Sequence, residues 1–95
     1  MRRVANTDAN QKQIVSDLRI CGYSVISLHT IGNGVPDLLV ADSERYWLLE
    51  IKMPTRAKGN KCFTPDQIKF LENWRGPKIH VCRSTEEALK VLQDG

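Results

Sequence analysis

The spacing of apolar residues divides this chain into seven elements. Ile14, Val15, Leu18 and Cys21 recur at helical intervals, so the first element is an amphipathic helix. Asp8 with Gln11 three residues on forms a variant capping box, which predicts a start at Asp8, and Gly22 supplies the stop. Residues 23–30 are rich in β-branched and aromatic side chains and predict a strand, followed by a turn-rich loop over 31–36. Residues 37–41 and 46–53 predict two more strands, joined by a polar hairpin at 42–45. Thr64 as N-cap, Pro65 at the first helical position and Gln67 closing a capping box predict a helix whose buried stripe is Ile68, Leu71 and Trp74. Gly76 and Pro77 end it. Residues 78–82 form a fourth short strand, and the box from Ser84 to Glu87 opens a last helix with Ala88, Leu89 and Leu92 inside. The order αβββαβα predicts one α/β domain over residues 1–95, a mixed central sheet flanked by helices, with residues 1–7 as a loose basic arm.

Composition narrows the class without naming a function. A chain of 95 residues buries roughly 60–65% of the surface it exposes when unfolded, enough for one modest core. The longest apolar runs, such as 38–41, fall far short of the ~20 residues a membrane span needs, and Arg2 and Arg3 lead into no apolar stretch. Cys21, Cys62 and Cys82 are an odd, widely spaced set with no CxxC pattern, which argues against structural zinc and for reduced thiols. A cytoplasmic location, in a bacterial or phage-infected cell, is the expectation. The net charge of +3 is compatible with a nucleic-acid partner but does not require one.

The third strand carries the candidate chemistry. Residues two apart share a face, so Tyr46, Leu48, Glu50 and Lys52 point one way and Trp47, Leu49, Ile51 and Met53 the other. The second face is wholly apolar and packs on a helix. Centring the hairpin between Ser43 and Glu44 sets Asp42 against Arg45 and Asp37 against Glu50, with Cβ atoms about 4.5–5.5 Å apart. Two carboxylates at that separation repel unless a cation lies between them, and oxygen-only ligands suit Mg²⁺ or Mn²⁺ better than zinc. His29 and His80 read as ordinary strand residues.

Pro36-Asp37 followed by Glu50-Ile51-Lys52 resembles the PD-(D/E)xK nuclease superfamily. The fuller pattern of Gly34-x-Pro36-Asp37-Leu38-Leu39-Val40, Leu48-Leu49-Glu50-Ile51-Lys52 and Thr64-Pro65-Asp66-Gln67 is similar to the VRR-NUC family, whose small stand-alone members occur in phages and prophages. The resemblance spans about residues 8–92. It implies a restriction-endonuclease-like core and metal-dependent cleavage of DNA phosphodiesters, with branched DNA such as Holliday junctions or flaps as substrate. It matches Asp37, Glu50 and the Ile51 carbonyl to metal ligands, Lys52 to the catalytic lysine and Gln67 to a glutamine beside the site. Relatives often carry a glutamate in the first helix where this chain has the neutral Gln11. Gln11 and Asp8 are therefore open between an accessory role and simple helix capping.

Phosphate contacts to DNA come mainly from Arg and Lys. Arg56, Lys58 and Lys61 follow Lys52 in one basic loop, and Arg2, Arg3 and Lys12 form a second group. No helix dense in Arg and Asn stands out, so DNA shape is the expected determinant. Cutting both strands of a junction needs two sites, which predicts a homodimer or higher oligomer. A DNA-structure-binding module with a nuclease fold that does not cut is the alternative.

Overall fold

In a computed structural model, which describes residues 4–53 and 63–94 and their side chains from residue 9 onward, seven elements follow in the expected order. They are helix α1 (Val4–Ile20), strands β1 (Ser24–Ser27), β2 (Leu38–Ala41) and β3 (Tyr46–Ile51), helix α2 (Pro65–Asn73), strand β4 (Ile79–Cys82) and helix α3 (Thr85–Asp94). The sheet runs β1-β2-β3-β4, antiparallel through the first three strands and parallel between β3 and β4. The crossover through α2 is what permits that parallel step, since a tight hairpin can join only antiparallel strands. Among the described residues no helix is long and apolar enough to cross a membrane.

One face of the sheet holds the core. Val25, Leu38, Val40, Trp47, Leu49, Ile51 and Cys82 project from the strands against Ile14 and Leu18 of α1 and Ala88 and Leu92 of α3. The alternation expected of β3 therefore holds, with Trp47, Leu49 and Ile51 all buried on the helix side. Thr85 Oγ1 donates to Asp17 Oδ2 at 2.6 Å and ties the two covering helices together.

The first helix differs from its sequence reading at both ends. It already includes residues 4–7, so part of the expected loose arm is helical and Asp8 lies a turn inside. The Asp8–Gln11 capping box is thereby ruled out, because a cap must sit at the last non-helical position. At the other end Gly22 (φ +99°) closes a Schellman motif. Tyr23 N–H donates to the Leu18 carbonyl at 3.1 Å and Gly22 N–H to that of Arg19 at 3.0 Å. Cys21 falls in this cap and is exposed, not on the buried stripe.

The strands are shorter than the runs of strand-forming residues. β1 ends at Ser27 because the chain turns back, with Ile31 N–H donating to the Leu28 carbonyl. The Ser43-Glu44 turn is as expected, and Asp42 Oδ1 accepts the Glu44 and Arg45 N–H groups at 2.8 and 2.7 Å. These two donors hold the Asp42 carboxyl below the usual carboxylate range. At α3, Ser84 Oγ accepts the Glu87 N–H, but Glu87 reaches back to the Arg83 N–H, one residue before the box position.

The stripe on α2 is the largest correction. Ile68, Leu71 and Trp74 are 36%, 37% and 37% exposed, and no residue of the helix is buried. Trp74 is held locally: its ring stacks on Phe70, lies over Gly76 and donates its indole N–H to the Pro77 carbonyl at 2.7 Å. An indole N–H needs a partner, and finding it three residues on keeps the ring off the sheet.

Candidate functional site

The site stands on the sheet face opposite the core, where β2 begins and β3 ends. Leu38 pairs with Leu49, so continuing the ladder outward sets Asp37 against Glu50 and Pro36 against Ile51. The sequence register is thus the observed one. Ile51 turns its N–H toward β2 and donates it to Asp37 Oδ2 at 2.8 Å. Its carbonyl points the same way, toward a proline that has no N–H to give. Pro36 therefore interrupts the ladder and leaves the Ile51 carbonyl without a donor from β2.

Glu50 is 4% exposed, the sole buried charged side chain among the described residues. Three groups hold it. Gln67 Nε2 donates to Glu50 Oε2 at 2.6 Å, and Lys52 Nζ lies 3.2 Å from the same oxygen. Lys52 Nζ also donates to Gln67 Oε1 at 2.9 Å and sits 5.3 Å from the Phe63 ring centroid. The same Gln67 oxygen accepts the Thr64 N–H at 3.0 Å, while Thr64 Oγ1 accepts the Gln67 N–H. Gln67 is thus both the third residue of the predicted capping box and the clamp on Glu50 and Lys52.

Burial sets the electrostatics. It pushes the Glu50 carboxyl up to about 7, helped by the Asp37 charge and opposed by Lys52 and Gln67. Asp37 is also raised, again chiefly by burial, against the Ile51 N–H, Lys52, a hydrogen bond with Glu50 and the charge of His29. Burial is the leading cause of both shifts and Lys52 opposes both, so a further cation beside the pair would lower them. Gln67 and Lys52 engage Oε2 of Glu50, Ile51 engages Oδ2 of Asp37, and the two carboxyls are in hydrogen-bonding contact with each other. Among the described residues there is no group of three or more His, Cys, Asp or Glu side chains placed to hold a metal. Two carboxylates and one backbone carbonyl nevertheless fit a hard ion such as Mg²⁺, which commonly takes one or two protein carboxylates and fills its remaining positions with water and substrate phosphate.

The structure brings Asp37, Glu50, Ile51, Lys52 and Gln67 together. It leaves Gln11 away from the capping role, on a groove beside β1 with Lys12. The side chains of Asp8, Arg2 and Arg3, and the loop residues Arg56, Lys58 and Lys61, lie outside the described residues. His80 is lowered by burial and by Lys78. Sequence reasoning missed Asn10, whose Nδ2 donates to the Lys52 carbonyl at 3.0 Å and to the Arg83 carbonyl at 3.3 Å. It pins the ends of β3 and β4 just past the site. Its only signal in the sequence is an amide at the position one turn before Ile14.

No family model matches this chain, and neither the curated proteins nor the solved structures contain a match. The likeness to the VRR-NUC pattern therefore rests on the motif residues themselves.

Proposed function

We propose that this protein is a Mg²⁺- or Mn²⁺-dependent endodeoxyribonuclease. The observation that carries the reading is the pair of mutually opposed carboxyls, buried Glu50 and half-buried Asp37, with Lys52 against one of them. Asp37, Glu50 and the Ile51 carbonyl would hold the ion. When bound, such an ion neutralises the phosphodiester charge and acidifies a water molecule to hydroxide near neutral pH. The Lys52 ammonium, fixed by Gln67, is set to stabilise charge developing on the phosphate. Gln67 and Asn10 act earlier, by orienting Glu50 and the end of β3. Branched DNA as substrate, and a homodimer to supply two sites, come from the VRR-NUC likeness and belong to the same proposal.

A second reading is supported by the small number of acids at the site: with two carboxylates there, no larger metal-holding group among the described residues and a neutral Gln11, the chain would grip DNA without cutting it. The deciding experiment is a cleavage panel on duplex, flapped and four-way DNA in Mg²⁺, Mn²⁺ and EDTA. Metal-dependent cutting that Lys52→Ala lowers by about 10²–10³, with DNA binding retained, supports the nuclease. Binding without cutting by the unaltered protein supports the second reading.

A further inference from the structure

A groove of about 640 Å³ runs between α1 and the open edge of the sheet, lined by Gln11, Lys12, Ser16, Arg19, Ser27 and His29 among others. From this groove we infer the path by which a nucleic-acid backbone enters the site. The inference rests on the nuclease reading and adds to it a phosphate-binding surface that the carboxyl pair does not supply.

Charge is the first argument. Lys12, Ser16 and Arg19 share one side of α1 at helical spacing. With His29 across from them, the groove's described lining carries two fixed cations, an imidazole, two hydroxyls and an amide, and no carboxylate. Asp17, the acid nearest in sequence, turns away to Gln13 and Thr85.

The sheet edge is the second. Leu28 N–H donates to the Asp37 carbonyl, so residue 28 faces β2 and the backbone groups of Val25 and Ser27 face outward into the groove. Arg19 donates to the outward Val25 carbonyl at 2.9 Å, which covers an acceptor that an added peptide strand would need and fixes the guanidinium at the groove wall. The exposed amide left at Ser27 is a donor, suited to a phosphate oxygen.

Continuity is the third. His29 lines the groove and directly follows Leu28, whose N–H donates to the Asp37 carbonyl at 2.8 Å. A backbone lying in this groove thus passes His29, one residue from the strand pairing that carries Asp37.

The test is DNA binding in EDTA by fluorescence anisotropy, on a labelled oligonucleotide as single strand and as duplex, for the full chain and four variants. Lys12→Glu and Ser16→Glu place a negative charge in the groove. Lys90→Glu makes the same charge change as Lys12→Glu on the exposed side of α3. The expected result is affinity weakened on the order of tenfold by Lys12→Glu and by Ser16→Glu, and by far less in Lys90→Glu. Lys12→Ala should reduce the salt slope by about 1. Equal effects from Lys90→Glu and Lys12→Glu would overturn the groove as the path of the backbone. Each variant's melting curve should match that of the parent, and Ser16→Glu, which removes no observed contact, guards against a folding artefact. Cleavage that persists with groove variants behaving like Lys90→Glu sinks the groove alone. Groove-dependent binding with no cleavage in any metal sinks the nuclease reading alone.

Discussion

At the residue scale, Glu50 is a carboxyl whose burial disfavours its charged form. Its raised pKa means that the pocket prefers the neutral carboxyl, and the glutamine side chain imitates that form while still accepting from Lys52 and Gln67. Glu50→Gln should therefore raise the unfolding free energy in EDTA at pH 8 by an amount on the order of 2 kcal/mol, seen as a higher melting temperature, and abolish cleavage. A lowered melting temperature would show that the ion pair with Lys52 outweighs burial. Cys82 offers a simpler case: full burial pushes its thiol up to about 12, whereas Cys21 is exposed in the α1 cap. Ellman's reagent on the native Cys62→Ser protein at pH 8 should titrate one thiol, and a second should appear only in denaturant.

At the scale of elements, the approach of α2 to the loop before β2 assembles the site. Gly32, Asn33 and Gly34 all take positive φ (75°, 57° and 79°), which brings the loop against the first turn of α2. A Cβ on Gly34 would collide with the Asp66 carbonyl and come within 2.9 Å of the Gln67 Cα. Gly34→Ala should thus displace Gln67 from Glu50, costing about 1–3 kcal/mol and lowering cleavage further than its melting curve explains. Gly32→Ala, strained in φ but open in space, is the control and should change stability without changing the cleavage rate of the folded fraction.

At the scale of the molecule, stability and pH should be linked through the acid pair. Both carboxyls are raised in the folded state, so they contribute stability when protonated and lose it as pH rises through the folded values. In EDTA the melting temperature should fall as pH rises from about 4.5 to about 7 and level off above that, and Asp37→Asn should flatten the fall. On the proposed function, a divalent ion bound by the pair would offset both shifts. At one hundred times its dissociation constant it would restore about 2.7 kcal/mol, so Mg²⁺ or Mn²⁺ should remove the decline and chelation should bring it back. A pH profile unaffected by the metal would count against Asp37 and Glu50 as ligands.

The sequence by itself determined the order αβββαβα, the hairpin register and the common face of Glu50 and Lys52. Each follows from interactions over a few residues: a turn length, a two-residue period and an N-cap box. Asp37 was legible opposite Glu50 for the same reason, since one tight turn joins their strands. Only the tertiary structure decided where α1 starts, that Trp74 satisfies its indole locally while α2 stays uncovered, and that Asn10 reaches carbonyls 42 and 73 residues away. It also decided that Gln67, readable as a helix cap, lands on Glu50 and Lys52. Local hydrogen bonds fix a helix start, but which side chain a helix presents to a distant strand depends on how the chain between them closes.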